Sequence, residues 1–276
     1  MSKEIWIINH YAGTMYLDKG GRHHWFAKHI NNAGNKTLIF ASNQIHNTDK
    51  EIKIKKRKFG KESSESVDYV FIKSSKYKKN NLLRILNILS FSKNVIESMN
   101  SIIRGGKKPD VIIASSVHPL AWYSGYKISK KYKIPLIVEV RDLWPESLVA
   151  YGYLKKNSFI TKILYKYEKW IYIKAAAVVM TIEGGKKYIL DRGWKKKIDL
   201  DKIHYISNGY NLNSFDTSID VADRDLDDKS LIKLVYTGSI REVNDIGFLL
   251  ETAKIFLRKS KDYVFIIYGD GDQKEI

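Results

Sequence analysis

The chain has 276 residues and a formal net charge of +18, and 44% of its residues are apolar. This apolar content is sufficient for a sizeable core and excludes global disorder, while the absence of cysteine excludes disulfides and thiolate zinc sites. Because the N-terminus lacks a signal-peptide pattern and no apolar run approaches the roughly 20 residues of a membrane span, we expect a cytoplasmic protein.

The positive charge is concentrated in the first part of the chain. Residues 1–215 carry 39 Lys+Arg and 17 Asp+Glu, whereas residues 216–276 carry 9 and 13. A basic surface favours a polyanionic partner such as nucleic acid, anionic lipid or a pyrophosphate-linked molecule. An ordinary lysine-rich solvated surface explains the charge equally well. No nucleic-acid recognition motif accompanies it, so nucleic acid is not an expected partner.

Short β-branched runs alternate with amphipathic helical segments, which predicts an α/β fold with a doubly wound parallel sheet. The predicted strands are Ile5–Asn9, Thr37–Ala41, Val67–Ile72, Val111–Ala114, Leu136–Val140, Ala177–Thr181 and Ile203–Ile206. The predicted helices are 21–33, 81–103, 119–132, 158–174 and 184–192. Residues 43–66 are polar and lysine-rich with weak periodicity, so we interpret them as a mobile excursion outside the core.

A change in composition after Asn208-Gly209 predicts a domain boundary. Residues 1–209 form the first, Rossmann-like domain, and the acidic stretch 210–230 is interpreted as an interdomain linker. A new β-α-β unit follows, with a strand at Leu231–Thr237, a helix at 245–259 and a strand at Tyr263–Tyr268. Two strands and one helix bury too little surface to be stable alone. We therefore expect 231–276 to be an incomplete second domain, either completed by another chain or truncated.

A glycine pair follows the first strand. Gly20 and Gly21 precede a predicted helix that opens with Arg22-His23, and glycines there allow backbone N–H groups to approach a phosphate at the helix N-terminus. An ordinary glycine-rich loop explains the same residues. The G-x-G-x-x-G pattern is absent, which disfavours a tightly held dinucleotide.

A histidine follows the strand that ends near Ala114. Side chains at the carboxyl ends of parallel strands face the ligand crevice of such sheets, so His118 is a candidate site residue. It could act there as a general acid, a general base or a hydrogen-bond donor near neutral pH. The alternative is that it only caps the helix beginning at Pro119.

A charged and aromatic segment follows the next strand. Arg141, Asp142, Trp144 and Glu146 stand close together there, and such a cluster can orient sugar hydroxyls through charged hydrogen bonds and stack a sugar ring on the indole. The alternative is a structural Arg141–Asp142 pair with Trp144 in the core. A glycosidase carboxylate pair is disfavoured because both acids share one loop and the sequence does not fix their separation.

Glycine turns also end both strands of the second domain. Gly238 is followed by Arg241, and Gly269 is followed by Asp270-Gly271. Each turn is a weak signal by itself. We find no D-x-D motif in a setting suited to a metal ion, so no metal and no cofactor are expected.

Taken in order, these segments resemble glycosyltransferase family 4 of the GT-B fold. The closest likeness is to bacterial capsule and O-antigen enzymes, through Arg141-Asp142-Leu143-Trp144-Pro145-Glu146. The resemblance implies retaining transfer of a sugar from a nucleotide-sugar substrate, often UDP-linked, to a hydroxyl of an acceptor in surface polysaccharide synthesis. That acceptor is frequently a lipid-pyrophosphate-linked glycan. The first domain takes the acceptor and the second holds the nucleotide.

The motifs and the resemblance together nominate site residues. The catalytic candidates are His118 and Asp142. The donor-binding candidates are Gly20, Gly21, Gly238, Arg241 and Gly269. The acceptor-binding candidates are Arg141, Trp144 and Glu146.

The chain departs from the family pattern in its second domain. The family usually carries an arginine just after the glycine that opens this domain and a lysine five residues further on, whereas this chain has Ser239 and Asn244. Arg241 could replace one charge, but with different geometry. The family's E-x7-E motif would lie beyond Ile276. We therefore expect a fragment with little or no transferase activity. The alternatives are a non-catalytic remnant or partner subunit that binds acceptor, and a GT-B-type sugar-nucleotide epimerase.

Two amphipathic segments are candidates for contact with a membrane surface. Residues 159–172 mix lysines with aromatics at helical spacing, and residues 81–103 begin with leucines and isoleucines on nearly all sides. Ordinary packing on the sheet explains the first segment. We expect peripheral association with the inner leaflet of the cytoplasmic membrane, where a lipid-linked acceptor resides.

Overall fold

A computed structural model describes residues 2–46, 48–55, 58–77, 82–116, 118–212, 224–227, 230–271 and 273–274. The chain divides into two units, Met1–Gly209 and Tyr210–Ile276. Each is described separately below.

An eight-stranded sheet forms the first unit. Its strands are β1 (Glu4–Ile8), β2 (Lys36–Ser42), β3 (Phe59–Ser64), β4 (Val67–Ile72), β5 (Val111–Ser115), β6 (Leu136–Val140), β7 (Ala177–Met180) and β8 (Ile203–Tyr205). Their order across the sheet is β3-β4-β2-β1-β5-β6-β7-β8, and all neighbours are parallel except β3 and β4. The winding direction therefore reverses between β1 and β5, which confirms the predicted doubly wound α/β fold.

Helices connect these strands. They are α1 (Gly13–Leu17), α2 (Arg22–Asn32), α3 (Leu82–Arg104), α4 (Pro119–Tyr132), α5 (Glu146–Ala150), α6 (Phe159–Lys174) and α7 (Gly185–Asp191), and a 3-10 turn (Leu200–Lys202) precedes β8. Their starts carry ordinary local signals. Pro119 occupies the first turn of α4, and the Ser158 hydroxyl accepts a hydrogen bond from the Thr161 N–H at the start of α6.

Apolar side chains bury both faces of the sheet. Along β1, Trp6 and Ile8 belong to one buried cluster and Ile5 and Ile7 to the other, as the two-residue period of a strand requires. Both faces are covered, so β1 consists almost entirely of apolar residues rather than alternating with polar ones.

Within residues 43–66, which the sequence suggested to be a mobile excursion outside the core, residues 59–64 form the strand β3 of the sheet. Asn43, Gln44 and Ile45 are buried, and β3 pairs along its whole length with β4. The prediction was wrong because β3 is an edge strand with exposed Lys61 and Glu62. Charged residues are common on edge strands, and here they obscured the strand pattern.

The second unit contains a parallel β-α-β arrangement. The short helix α8 (Arg224–Asp227) precedes β9 (Ile232–Thr237), α9 (Ile246–Lys259) and β10 (Tyr263–Tyr268), and the two strands pair in parallel. The predicted elements are thus found within a residue of their expected bounds. Most of the predicted linker, 210–230, lies outside the described residues. Across the described helices of both units, none combines the length and apolarity that crossing a membrane requires.

Candidate functional site

Buried polar side chains gather where the winding of the first sheet reverses. Asn9 and His10 follow β1, Ser116 and His118 follow β5, and Glu139 lies near the end of β6. All five are buried. In open α/β sheets, ligands bind in the crevice outside the strand ends at this reversal, so we take this edge as the candidate site.

Two histidines form a direct contact at the centre of this edge. His10 Nδ1 lies 2.7 Å from His118 Nε2, and the rings meet edge to face at 88°. His10 also stacks on Phe91 of α3, with ring centroids 4.1 Å apart. Burial lowers the pKa of both imidazoles, and with the Arg84 charge it lowers that of His118 to about 3. Both rings are therefore neutral at physiological pH, which disfavours His118 as a general acid in the free protein.

A buried carboxylate ties α2 to the strand ends. Glu139 accepts hydrogen bonds from Arg22 Nε at 2.9 Å and from His23 Nε2 at 2.7 Å. Burial alone would raise the pKa of Glu139, but the electrostatic and hydrogen-bond interactions with His23 and the Arg22 charge outweigh it and hold that pKa well below its ordinary value. The Arg22 guanidinium also donates to the carbonyls of Ile206 and Ser207, at 2.9 and 2.7 Å. One arginine thereby joins the end of β6 to the segment that follows β8.

The hydrogen bonds of Asn9 assign the tautomer of His23. Asn9 Oδ1 accepts from the Tyr11 N–H, so Asn9 Nδ2 faces His23 Nδ1 at 2.8 Å. The amide donates there, which leaves His23 Nδ1 as an acceptor and Nε2 as the protonated nitrogen that donates to Glu139.

The predicted phosphate loop lies at the start of α2. Gly21 precedes this helix with φ +93°, a conformation that glycine adopts without strain, and the Gly20 N–H donates to the Met15 carbonyl. The side chains that follow, Arg22 and His23, point into the buried Glu139 network. The glycine pair therefore turns the chain into a helix anchored at the candidate site.

The segment after β6, which is predicted to bind an acceptor, contacts other parts of the first unit. Trp144 is half-buried and packs against the core cluster, as the alternative interpretation had it. Glu146 accepts a hydrogen bond from the Tyr165 hydroxyl, and Arg192 NH1 lies 3.6 Å from its carboxylate. The contacts of Glu146 connect the start of α5 to α6 and to the residue that follows α7. The Trp144–Pro145 peptide bond is cis.

Arg141 and Asp142 stand at the rim of the edge. The Arg141 N–H donates to Ser116 Oγ at 3.1 Å, which links the loops after β5 and β6. The Arg141 side chain is half-buried and that of Asp142 is exposed. These two residues form no ion pair with each other in the described structure. Their charged groups are available to a ligand at the rim, although they lie outside the buried histidine contact.

In the second unit, the glycine turns bring two loops into close contact. The Gly238 N–H donates to the Tyr268 carbonyl and the Ile240 N–H to the Asp270 carbonyl, both at 3.0 Å. A Cβ atom at Gly269 would lie 1.9 Å from the Gly238 carbonyl oxygen, so only glycine permits this approach. The turns are thus required for the backbone path at the strand ends of this unit.

The two positions that depart from the family pattern bond to each other. Asn244 Nδ2 donates to the Ser239 carbonyl at 2.6 Å, and the Tyr236 hydroxyl donates to the same carbonyl at 3.0 Å. The neighbouring Arg241 is exposed. Arg241 therefore provides a cationic side chain in a loop that is otherwise held together by neutral hydrogen bonds.

Sequence reasoning nominated His118 but missed His10, Arg22 and Glu139. A signal for His10 was present, because it follows a buried strand just as His118 does and the same rule applies to both. No local pattern could reveal that Arg22 and Glu139 meet across 117 positions of the chain. Among the described residues, no group of three or more His, Asp or Glu side chains is arranged to hold a metal ion.

Comparisons with known proteins agree with this architecture. The model of Glycosyltransferase Family 4 matches residues 26–214. Similar solved structures include HepE from Anabaena in complex with UDP and glucose (TM-score 0.57, 10% identity, 98% of this chain and 61% of that chain) and TarM (0.57, 13%, 100% and 73%). Sucrose-phosphate synthase from Thermosynechococcus elongatus also matches (0.55, 11%, 96% and 70%). At these identities the structures show the fold, which is that of GT-B glycosyltransferases. No protein of curated function matches the sequence.

Proposed function

The chain belongs to glycosyltransferase family 4, and we propose that it transfers a sugar with retention from a UDP-sugar to a lipid-linked glycan acceptor in surface polysaccharide synthesis. The observation that carries the proposal is the buried His10–His118 contact at the reversal of the first sheet. A crevice of this kind is where α/β proteins bind substrates. HepE, of similar fold, is described in complex with UDP-glucose and with UDP.

Electrostatic stabilisation of the leaving diphosphate is the main chemical requirement of such a transfer. In the second unit, the exposed Arg241 follows the Gly238 turn at the end of β9. Arg241 takes the donor phosphates in this proposal, together with the backbone N–H groups of the glycine turn. For the first unit, considered by itself, the proposal assigns His118 and Asp142 to contact with a sugar and Arg141 to an acceptor hydroxyl or phosphate.

Donor binding gives the direct test. We expect Arg241→Ala to weaken UDP binding about tenfold in calorimetric titration, because one charged hydrogen bond to phosphate is lost. The matched control is Arg258→Ala on α9, which also removes a cation from the second unit and leaves the affinity unchanged. Absence of UDP binding to the unaltered chain, or equal loss in both variants, would refute this donor site.

A non-catalytic acceptor-binding protein is the second candidate, and the Ser239–Asn244 contact favours it. The family's two donor-phosphate cations are replaced by neutral groups that hydrogen-bond to each other. Incubation with UDP-sugars and polyprenyl-diphosphate-linked glycans separates the candidates. Release of UDP with formation of a longer glycan supports transfer, whereas glycan binding without UDP release supports the second candidate.

Exposed apolar side chains on α3 support peripheral membrane association as part of the proposal. Large apolar residues at the start of this helix are solvent-exposed, with Leu82 77% exposed, and the others are Leu83, Ile85, Leu86 and Leu89. Exposed Phe159 and Ile160 at the start of α6 lie near several lysines. Apolar side chains beside basic ones favour an anionic bilayer surface.

Vesicle flotation tests the membrane contact. We expect the chain to float with anionic vesicles and to remain in the lower fractions with neutral ones, because its basic charge contributes to binding. Leu82→Ser combined with Leu86→Ser should abolish flotation, since the apolar area that these side chains would bury in the bilayer is lost. Phe248→Ser, an exposed position of the second unit, serves as the control and retains it. Equal flotation with both vesicle types would contradict the proposal.

A further inference from the structure

We propose that His10 is a positioning residue for His118: it accepts the Nε2–H of His118 and thereby fixes the tautomer in which His118 Nδ1 carries a free lone pair. The inference rests on the proposed function and concerns the same site. The distance of 2.7 Å between His10 Nδ1 and His118 Nε2 requires one nitrogen to donate and the other to accept.

Asn87 of α3 decides which ring donates. Its Nδ2 donates to the Ser75 carbonyl at 2.6 Å, which fixes the amide so that Oδ1 is left as a buried acceptor. Asn87 raises the pKa of His10, as an acceptor facing a ring N–H does. Asn87 Oδ1 and His10 Nε2 are both buried, and in the part of the chain that the structure describes neither has a hydrogen-bond partner. A proton on His10 Nε2 that is donated to Asn87 Oδ1 would satisfy both atoms. The proton of His10 therefore lies on Nε2, and its Nδ1 accepts from His118.

The surroundings of His10 hold it in this state. Its ring stacks on Phe91 and lies against Tyr11, and these contacts fix the plane of the ring. The charged and titratable groups that act on it are His118, His46 and Arg84, and each of them disfavours a positive charge on the ring. A neutral ring with one donor and one acceptor nitrogen follows.

The tautomer of His118 determines what its other ring nitrogen, Nδ1, can bind. With Nε2 protonated, His118 Nδ1 is an unprotonated acceptor, and within the described ranges it is buried without a hydrogen-bond partner. An unpaired buried acceptor is unfavourable and calls for a partner. A sugar hydroxyl supplies the donor that fits it. His118 then orients a substrate hydroxyl as a neutral acceptor, and it has no proton to give from this nitrogen.

Nitrogen-15 spectra of histidine-labelled protein test the proposal without any activity assay. We expect His118, identified by the loss of its signals in His118→Phe, to show a protonated Nε2 and an unprotonated Nδ1. In His10→Phe, which keeps an aromatic ring against Phe91 but has no acceptor, the two His118 tautomers should mix. In His10→Asn, whose Oδ1 can accept at the position of Nδ1, the original pattern should return.

Kinetics supplies the second readout. His10→Phe should lower kcat about tenfold with the donor KM unchanged, similar to the loss when an orienting partner is removed from a metal-bound histidine, and His10→Asn should restore most of it. A protonated Nδ1 on His118 in the unaltered protein, or an identical His118 spectrum in His10→Phe, overturns the proposal. If His10→Phe does not fold, the spectrum of the unaltered protein still shows which nitrogen of His118 carries the proton and so tests the proposal. Absence of any sugar transfer refutes the proposed function and leaves the tautomer result standing.

Discussion

Glu139→Gln is expected to lower the free energy of unfolding by about 3–5 kcal/mol, the cost of removing one partner from a buried ion pair. The amide keeps the shape of the carboxylate but leaves the buried Arg22 guanidinium without its counter-charge. The glutamine amide has only one acceptor oxygen, so it cannot accept from both of the donors that the carboxylate serves, Arg22 Nε and His23 Nε2. A typical domain is stable by only about 5–15 kcal/mol, so the loss should be plain in urea unfolding of the full chain.

A surface pair supplies the matched control for this measurement. Glu97→Gln removes the same charge from an exposed contact with Lys58, and such pairs contribute at most about 1 kcal/mol. The pH dependence is a further check. Because the folded-state pKa of Glu139 is depressed, its contribution is fully present above the unfolded-state pKa of about 4.3 and is lost as pH falls below it. The difference between Glu139→Gln and the unaltered protein should narrow in acid. Equal losses in the two glutamine variants would show that the Glu139 network is not a stabilising feature.

The sheet of the first unit could be predicted from sequence because its strands are buried on both faces. Runs such as Ile5-Trp6-Ile7-Ile8 are apolar without interruption, and the residues between them have helical periodicity. The edge strand β3 could not be predicted in this way, since its exposed Lys61 and Glu62 resemble a loop. A strand that is buried on both faces can be recognised from its uninterrupted apolar residues. An edge strand depends on pairing with a neighbouring strand that the local sequence does not show.

The candidate site was predictable only where one residue carried the signal by its place after a strand. His118 met that condition, and its partner His10 is 108 positions away. Trp144 and Glu146 were chosen because their residue types suit sugar binding, but the sequence did not show that Trp144 packs against the core or that Glu146 contacts Tyr165 and Arg192. The type of a side chain sets what chemistry it can do. The contacts that the side chain makes in the fold determine whether its functional group is available to a ligand.

His118→Ala is expected to reduce turnover about 100-fold, or about 2.7 kcal/mol, while the acceptor KM changes by less than about threefold. The reason is that a hydrogen bond that orients the reacting sugar strengthens in the transition state, whereas the acceptor makes most of its contacts elsewhere. Steady-state kinetics with a UDP-sugar and a lipid-linked acceptor provides the measurement. His118→Asn should recover part of the loss, because its Oδ1 can occupy the place of Nδ1 as an acceptor.

The pH profile distinguishes this role from proton transfer. A histidine acting as general acid or base with an ordinary pKa would produce a break near pH 6.5. The pKa of His118 is lowered to about 3 by burial and by the Arg84 charge, so it stays neutral across the whole working range. We therefore expect the pH profile of kcat/KM between about pH 5 and 8 to have the same breaks in the unaltered protein and in His118→Asn. A break that His118→Asn removes would assign His118 to proton transfer, and unchanged turnover in His118→Ala would exclude it from the site.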